Sequence, residues 1–411
     1  MLLWDLRWSP RRTALMGLLL ATLTIANEQT VLQPTQFPID SPNHLPSTSS
    51  PPPITLQTLQ EALHTLQSSY FTLWLGKYTT AIDWTSALTT THLVATLDTL
   101  SRSTAYNVSY SPSLHPDLLP PSHFEEKIPT TTEIDRDIET YTAHILALYY
   151  TQPTFSLRLQ AHDDMLWVSL SYLSTVSFLS KHSSRHHGAN DTWHATQFTP
   201  SFVHRAHGFH ISGWASNHSR NVCDERDDTV WSYNQGILLS GLRGLWDVTG
   251  EEKYLLEGHD LVQSVIRATH GGALGKGGIL TEREVEGEGG RDDRKKERDG
   301  WNDRMQTLKD TITHHRTACS SYTPFVASNA LAALSTRDEK GRFGMWWGAP
   351  FHPSNPSSSN PSSSSFPSSS SPSSDPNDRG LGRTLETQGS GLAVVRAGWE
   401  FGRLYPVRST E

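Results

Sequence analysis

Gly236-Ile237-Leu238-Leu239-Ser240-Gly241-Leu242-Arg243-Gly244-Leu245-Trp246 is followed by a Thr249-Gly250 break and then by Tyr254, Leu255, Gly258, Leu261, Val262, Val265 and Ile266. In the first stretch Ile237, Leu238, Gly241, Leu242, Leu245 and Trp246 recur at three-four spacing, which predicts a helix with one apolar stripe. The second stretch repeats the pattern. Gly241, Gly244 and Gly258 would let the two backbones approach closely. Helix, short turn, helix is the unit of a helical bundle or an α/α barrel. Strand-like alternation is scarce elsewhere, so the expected fold class is all-α.

The same spacing recurs outward from this hairpin. Leu56, Leu59, Leu63, Leu66 and Tyr70 predict a helix that starts near Ile54. Ile82, Trp84, Leu88, Leu93, Leu97 and Leu100 predict a second. After a Pro-rich loop over 112–129, Ile134, Ile138, Tyr141, Ile145, Leu148 and Tyr149 predict a third. Further helices are expected over 322–334 and 391–401. The charged run 282–304 and the Ser/Pro/Asn run 354–374 read as disordered inserts in a domain spanning 54–411. Residues 27–53, rich in Pro, Ser and Thr, read as a disordered lead-in.

Ala161-His162-Asp163-Asp164-Met165-Leu166-Trp167 opens another helix, because Leu166, Trp167, Val168, Leu170, Tyr172, Leu173, Val176, Phe178 and Leu179 follow. Both aspartates then fall in its first turn, where the helix dipole favours negative charge. Two readings fit. An Asp before an apolar run is an ordinary N-cap. Two neighbouring carboxylates also feel each other, and repulsion raises one pKa while the other stays ionised, the condition of an acid-and-nucleophile pair.

The 411 residues carry a net charge of −8 and no long basic stripe, which argues against nucleic acid as a partner. Thirteen Trp and twelve Tyr suit either sugar-stacking surfaces or core packing. Arg7, Arg11 and Arg12 precede an apolar run from Ala14 to Leu23 and then Thr24-Ile25-Ala26, the pattern of a signal peptide over 1–26. No later stretch is a candidate membrane span. Sequons at Asn107, Asn190 and Asn217 agree with a secreted, extracellular or cell-wall location. In an oxidising compartment Cys223 and Cys319 could pair; in a reducing one they are two thiols.

Other constellations are weaker. His204, His207 and His210 recur every three residues, but Gly208 is expected to interrupt the helix and no carboxylate stands at ligand spacing, so no metal site is expected. His182, His186 and His187 read as solvated residues of a Ser/Arg-rich loop. The glycines from Gly271 to Gly277 lack the spacing and the preceding strand of a phosphate loop, and no Gly-x-Ser-x-Gly elbow is present.

Five stretches together resemble glycoside hydrolase family 76, the endo-α-1,6-mannanases, and especially its secreted fungal branch. They are Ala81-Ile82-Asp83-Trp84-Thr85-Ser86-Ala87, His162-Asp163-Asp164-Met165-Leu166-Trp167, Gly208-Phe209-His210-Ile211-Ser212-Gly213-Trp214, Trp231-Ser232-Tyr233-Asn234-Gln235-Gly236 and Leu385-Glu386-Thr387-Gln388-Gly389-Ser390-Gly391. The resemblance implies an (α/α)6 barrel with a groove for α-mannan and no cofactor; the chain is expected to be a monomer. It implies retaining hydrolysis, with Asp163 as nucleophile and Asp164 as general acid/base; a retaining pair stands roughly 5 Å apart, closer than an inverting one. Trp167, Trp214 and Tyr233 become candidates for sugar stacking and Asn234 for a hydroxyl, each with core packing as the other reading. The family's Gly-rich segment and Lys-Asn motif would fall between Arg205 and Gly208, and a Phe-Lys-Gly helix would follow Leu280. This chain passes directly from Phe202-Val203-His204-Arg205-Ala206 into Gly208-Phe209-His210, and the charged run follows Leu280. About two barrel helices are therefore missing. The alternative is an inactive, truncated relative that binds mannan or has no enzymatic role.

Overall fold

The computed structural model describes residues 54–108, 131–152, 162–187, 193–216, 232–270, 275–280, 308–352, 375–378 and 382–405. The expected leader 1–26, the lead-in 27–53, the 112–129 loop, Asn190, Asn217, Cys223 and the runs 282–304 and 354–374 lie outside them. Among the described residues the fold is all-α, with nine α-helices and two short hairpins. None of these helices is long and apolar enough to cross a membrane. The chain divides into two units, one of residues 52–219 and 329–400, the other of 220–328 with the segments 1–51 and 401–411.

In the first unit, α1 (Leu56–Tyr70) starts where Thr55 accepts a 3.1 Å hydrogen bond from the Thr58 amide, an N-cap that satisfies an orphan donor. A hairpin follows, β1 (Phe71–Thr72) against β2 (Lys77–Tyr78). Its tip is a 3-10 turn over Leu73–Leu75 closed by Gly76, whose φ of +62° suits glycine. A Cβ at Gly76 would lie 2.8 Å from Thr151 Cγ2, so the position also needs glycine for close packing. Then come α2 (Asp83–Val108), α3 (Thr131–Thr151), α4 (His162–His186) and α5 (Thr199–Ser216). Helix α4 packs against both α2 and α5. Leu59, Leu63, Leu66, Leu93, Leu97, Ile134, Ile138, Phe178 and Phe202 fill the core.

Helix α2 is buried on every side from Leu93 to Ser101 although it is rich in hydroxyls. The hydroxyls bond back along the helix: Thr90 to the Ser86 carbonyl at 2.8 Å, Thr96 to His92 at 2.9 Å and Thr99 to Ala95 at 3.1 Å. Each buried polar group thereby keeps a partner. Asp98 sits at the centre of a charge network. It accepts from Arg102 Nε at 3.2 Å and from Arg185 Nη1 of α4 at 2.7 Å. Arg102 in turn donates to both carboxylate oxygens of Glu400, at 2.6 and 3.2 Å.

Glu400 belongs to α9 (Leu385–Leu404), which completes this unit with the end of α8 (Leu308–Ser335). The loop after α8 is held by buried Arg383, which donates to the Thr336 and Arg342 carbonyls at 2.6 and 2.7 Å and meets Asp375 Oδ2 at 3.0 Å.

The second unit contains α6 (Ser232–Thr249), α7 (Lys253–Thr269), a hairpin of β3 (Gly275–Lys276) and β4 (Ile279–Leu280), and the first part of α8. The Thr249-Gly250 break falls where expected, with Gly250 at φ +68°. Of the three stripe glycines, Gly258 makes a close approach: a Cβ there would lie 3.3 Å from Leu239 Cδ1, whereas none would touch anything at Gly241. The stripe is only partly covered, since Leu242 is buried but Ile237 and Leu238 are exposed.

Four expectations are corrected. Helix α8 begins at Leu308 rather than near 322, and α9 at Leu385 rather than near 391, because their first turns are mostly polar and carry no apolar period. Gly208 does not interrupt α5: one glycine costs a helix only about 1 kcal/mol, and packing of the flanking turns on α4 overrides it. His182 and His186 are not loop residues. They lie in the last turns of α4, where His182 is buried, takes part in a 2.9 Å hydrogen bond with the Ser101 hydroxyl and packs edge-on to Trp193.

Candidate active site

Helix α4 starts at His162, so Asp163 and Asp164 occupy its first turn as read from the sequence. Asp164 is half-buried, while Met165 and Val168 just beyond it are buried and hold the turn against the core. Trp167, one turn on, is half-buried, and its ring lies 6.3 Å from that of Trp84 at a tilt of 39°. Trp84 stands in the first turn of α2, beside Asp83. Asp83 Oδ1 accepts from Gln152 Nε2 at 2.5 Å, which ties this turn to the end of α3. The N-termini of α2 and α4 thus meet at one end of the unit, with acidic residues in the first turn of each.

Helix α5 runs antiparallel to α4. Ser169 Oγ donates to the Ala206 carbonyl at 2.8 Å, and the Tyr172 ring lies 5.4 Å from that of Phe202. At a rise of about 1.5 Å per residue in both helices, this register brings the last turn of α5, which contains Trp214, level with the Asp163-Asp164 turn. The structure therefore gathers Asp163, Asp164, Trp167 and the Trp214 turn at one end of the unit. Tyr233 and Asn234 open α6 in the other unit, with Asn234 exposed.

The sequence marks Trp84 as one residue of an apolar period and Asp83 through the family resemblance alone, and it gives Arg205 no role. Arg205 lies over the Tyr149 ring at 3.8 Å and donates to the Tyr149 carbonyl at 2.5 Å. Tyr172 packs beside it, and burial pushes its phenol up to about 12, opposed in part by Arg205. A neutral tyrosine and a fixed guanidinium thus stand two turns below the aspartates. Among the described residues no group of three His, Cys, Asp or Glu is placed to hold a metal ion.

The Leu385–Gly391 motif has a packing role. Gln388 Nε2 donates to the Ala62 carbonyl at 3.1 Å and its Oε1 accepts from the Phe343 amide at 3.0 Å, which joins α1, α9 and the loop after α8. A Cβ at Gly391 would lie 2.3 Å from Phe343 Cγ.

The comparison with protein families bears on these motifs. Residues 205–354 match the model of glycosyl hydrolase family 76. The resemblance read from the motifs is borne out over that stretch, which holds the Gly208–Trp214 and Trp231–Gly236 motifs. Asp163 and Asp164 precede it. No curated protein and no solved structure matches the chain. The family 76 match begins inside α5, at the point where the chain passes directly from one motif half to the next.

Proposed function

We propose that this chain is a secreted glycoside hydrolase or transglycosidase of α-1,6-mannan that works by a retaining mechanism. Asp163 is the nucleophile and Asp164 the general acid/base. The observation that carries this reading is the pairing of Trp84 with Trp167 beside the Asp163-Asp164 turn, in a chain that matches family 76. The helix N-terminus favours the ionised nucleophile, and that charge in turn favours a protonated neighbour ready to donate to the leaving oxygen. Glycosyl transfer to Asp163 forms a covalent intermediate. Water, or a second sugar hydroxyl, then displaces the enzyme as Asp164 takes the proton back. Trp167 and Trp214 pack on sugar faces. The signal-like leader and the sequons support action outside the cell, on wall mannan.

A second reading is favoured by one observation: α5 runs unbroken from Thr199 to Ser216, so the two motif halves are joined in a single helix across Arg205–Gly208, where the missing family helices would fall. In that reading the chain binds mannan without cleaving it.

Release of mannose oligomers from α-1,6-mannan tests both. Asp163→Asn and Asp164→Asn should each abolish release while the melting temperature falls by no more than a few degrees, because both lie in the first helical turn, where a carboxylate is worth only about 0.3–1 kcal/mol. Full activity in both variants would refute the assignment. An inactive natural chain that gains activity when the missing helices are restored would establish the second reading.

A further inference from the structure

Four side chains stand out from the surface of the first unit. Trp74 is 83% exposed, Leu73 and Tyr150 are 64% exposed and Ile82 is 63% exposed, more than any other large apolar residue among those described. Single exposed apolar residues are ordinary, but a gathered set is not. These four come from three separate parts of the chain and converge on the last turn of α3. The hairpin tip bearing Leu73 and Trp74 is seated there by Thr151 Oγ1, which donates to the Gly76 carbonyl at 2.8 Å. Ile82 precedes Asp83, which Gln152 ties to the same turn at 2.5 Å. Tyr150 lies in that turn, with its ring edge-on to Tyr149 at 5.3 Å and to Phe198 at 6.2 Å.

We propose that Trp74, with Leu73, Ile82 and Tyr150, forms a distal subsite on which the sugar rings of a long mannan chain pack. This rests on the mannan-hydrolase reading and extends it away from the aspartates. Two rigid aromatic rings present apolar faces, the surface on which the C–H face of a pyranose packs. Exposed Lys77, Thr79 and Thr80 surround them with groups that hydrogen-bond to sugar hydroxyls. The patch is also continuous with the candidate site. Ile82, Asp83 and Trp84 follow one another, and Trp84 reaches Trp167, one turn beyond the aspartates. An extended polymer can follow such a path, and a short oligomer cannot span it. Four side chains make a small surface, well below the roughly 1,000 Å² of a stable protein interface, which favours a sugar over a protein partner.

Affinity electrophoresis of the full chain in gels containing α-1,6-mannan tests this without requiring catalysis. Wild type should be retarded by α-1,6-mannan and not by a β-glucan. Trp74→Ala and Tyr150→Ala should weaken binding roughly threefold to tenfold with unchanged melting temperature, because both side chains are exposed. With activity measured, KM for long mannan should rise by the same factor while turnover of a mannotriose stays the same. Unaltered retardation of Trp74→Ala, absence of retardation in wild type, or a dimer that Trp74→Ala dissolves would each overturn the subsite. Asp163→Asn separates the two proposals. It should still bind mannan, so lost binding in Trp74→Ala with an active Asp163→Asn would refute the catalytic assignment and leave the subsite standing.

Discussion

Removing the carboxylate of Asp98 should destabilise the first unit far more than the loss of a surface ion pair. The Asp98 side chain is 1% exposed and holds two guanidiniums, those of Arg102 and Arg185, which are each 21% exposed. Asp98→Ala leaves both cations in place. Breaking a buried pair from one side costs about 3–5 kcal/mol. Arg102 keeps Glu400 at 2.6 Å, and Arg185 keeps the Ser101 hydroxyl at 3.0 Å. Those retained partners and the residual exposure put the cost near the lower end, about 3 kcal/mol. At about 2–4 °C per kcal/mol for a unit of this size, the melting temperature should fall by roughly 6–12 °C. Thermal unfolding followed by circular dichroism measures it. Asp98→Leu with Arg185→Met, which removes one charge of each sign, should recover part of the loss relative to Asp98→Leu alone. A fall of less than about 2 °C for Asp98→Ala would mean that the network is worth no more than an exposed pair, and the reasoning would fail.

Two glycine substitutions should act with opposite sign. Gly391→Ala pushes a Cβ to within 2.3 Å of Phe343 Cγ, so overpacking of about 1–3 kcal/mol should outweigh a helix-propensity gain of about 1 kcal/mol. Gly241→Ala meets nothing and should stabilise α6 by about 0.5–1 kcal/mol; equal effects at both sites in urea titrations would contradict the packing described. Acid should destabilise both units before the carboxylates titrate. Burial, with His186, His187 and Arg185 nearby, lowers His182 from 6.5 to about 3, and burial with His315 and His314 nearby lowers His259 to about 3. The unfolded chain takes up these protons from about pH 6.5 downward and the folded one does not, so their stability is complete above pH 6.5 and is lost on the way to pH 3. The slope is at most about 1.4 kcal/mol per pH unit for each histidine. An unchanged unfolding midpoint between pH 7 and pH 4.5 would count against the burial of these rings.

Helices with an apolar period were legible before the structure. Leu59, Leu63 and Leu66 point one way on α1, and the Thr249-Gly250 break lies between α6 and α7. Segments that owe their helicity to tertiary contacts were not. The first turns of α8 offer Lys309, Asp310 and Thr311, and nothing local marks them as helical. His182 looked solvated because its neighbours are Ser183, Ser184 and Arg185; the partners that bury that turn, Ser101 and Asp98, lie on α2. The Asp163-Asp164 helix start was readable from the apolar run behind it. The pairing of Trp84 with Trp167 was not, since no spacing rule links residues so far apart. Arg205 on the Tyr149 carbonyl was equally invisible.

The continuity of α5 bears on how this scaffold tolerates changes in length. Up to Ala206 the helix is fastened to α4, by the buried Phe202 ring and by Ser169 on the Ala206 carbonyl. At Gly208 an added Cβ would meet nothing within 4 Å, and His204 and His207 face solvent. A segment spliced in after Ala206 would therefore leave from an anchored stump on an open side. Chain length at this seam is decoupled from the packing of the first unit. Longer and shorter versions can share the same α2–α4 framework up to Ala206 and differ in what grows out from this seam, including which turn comes to lie beside the aspartates.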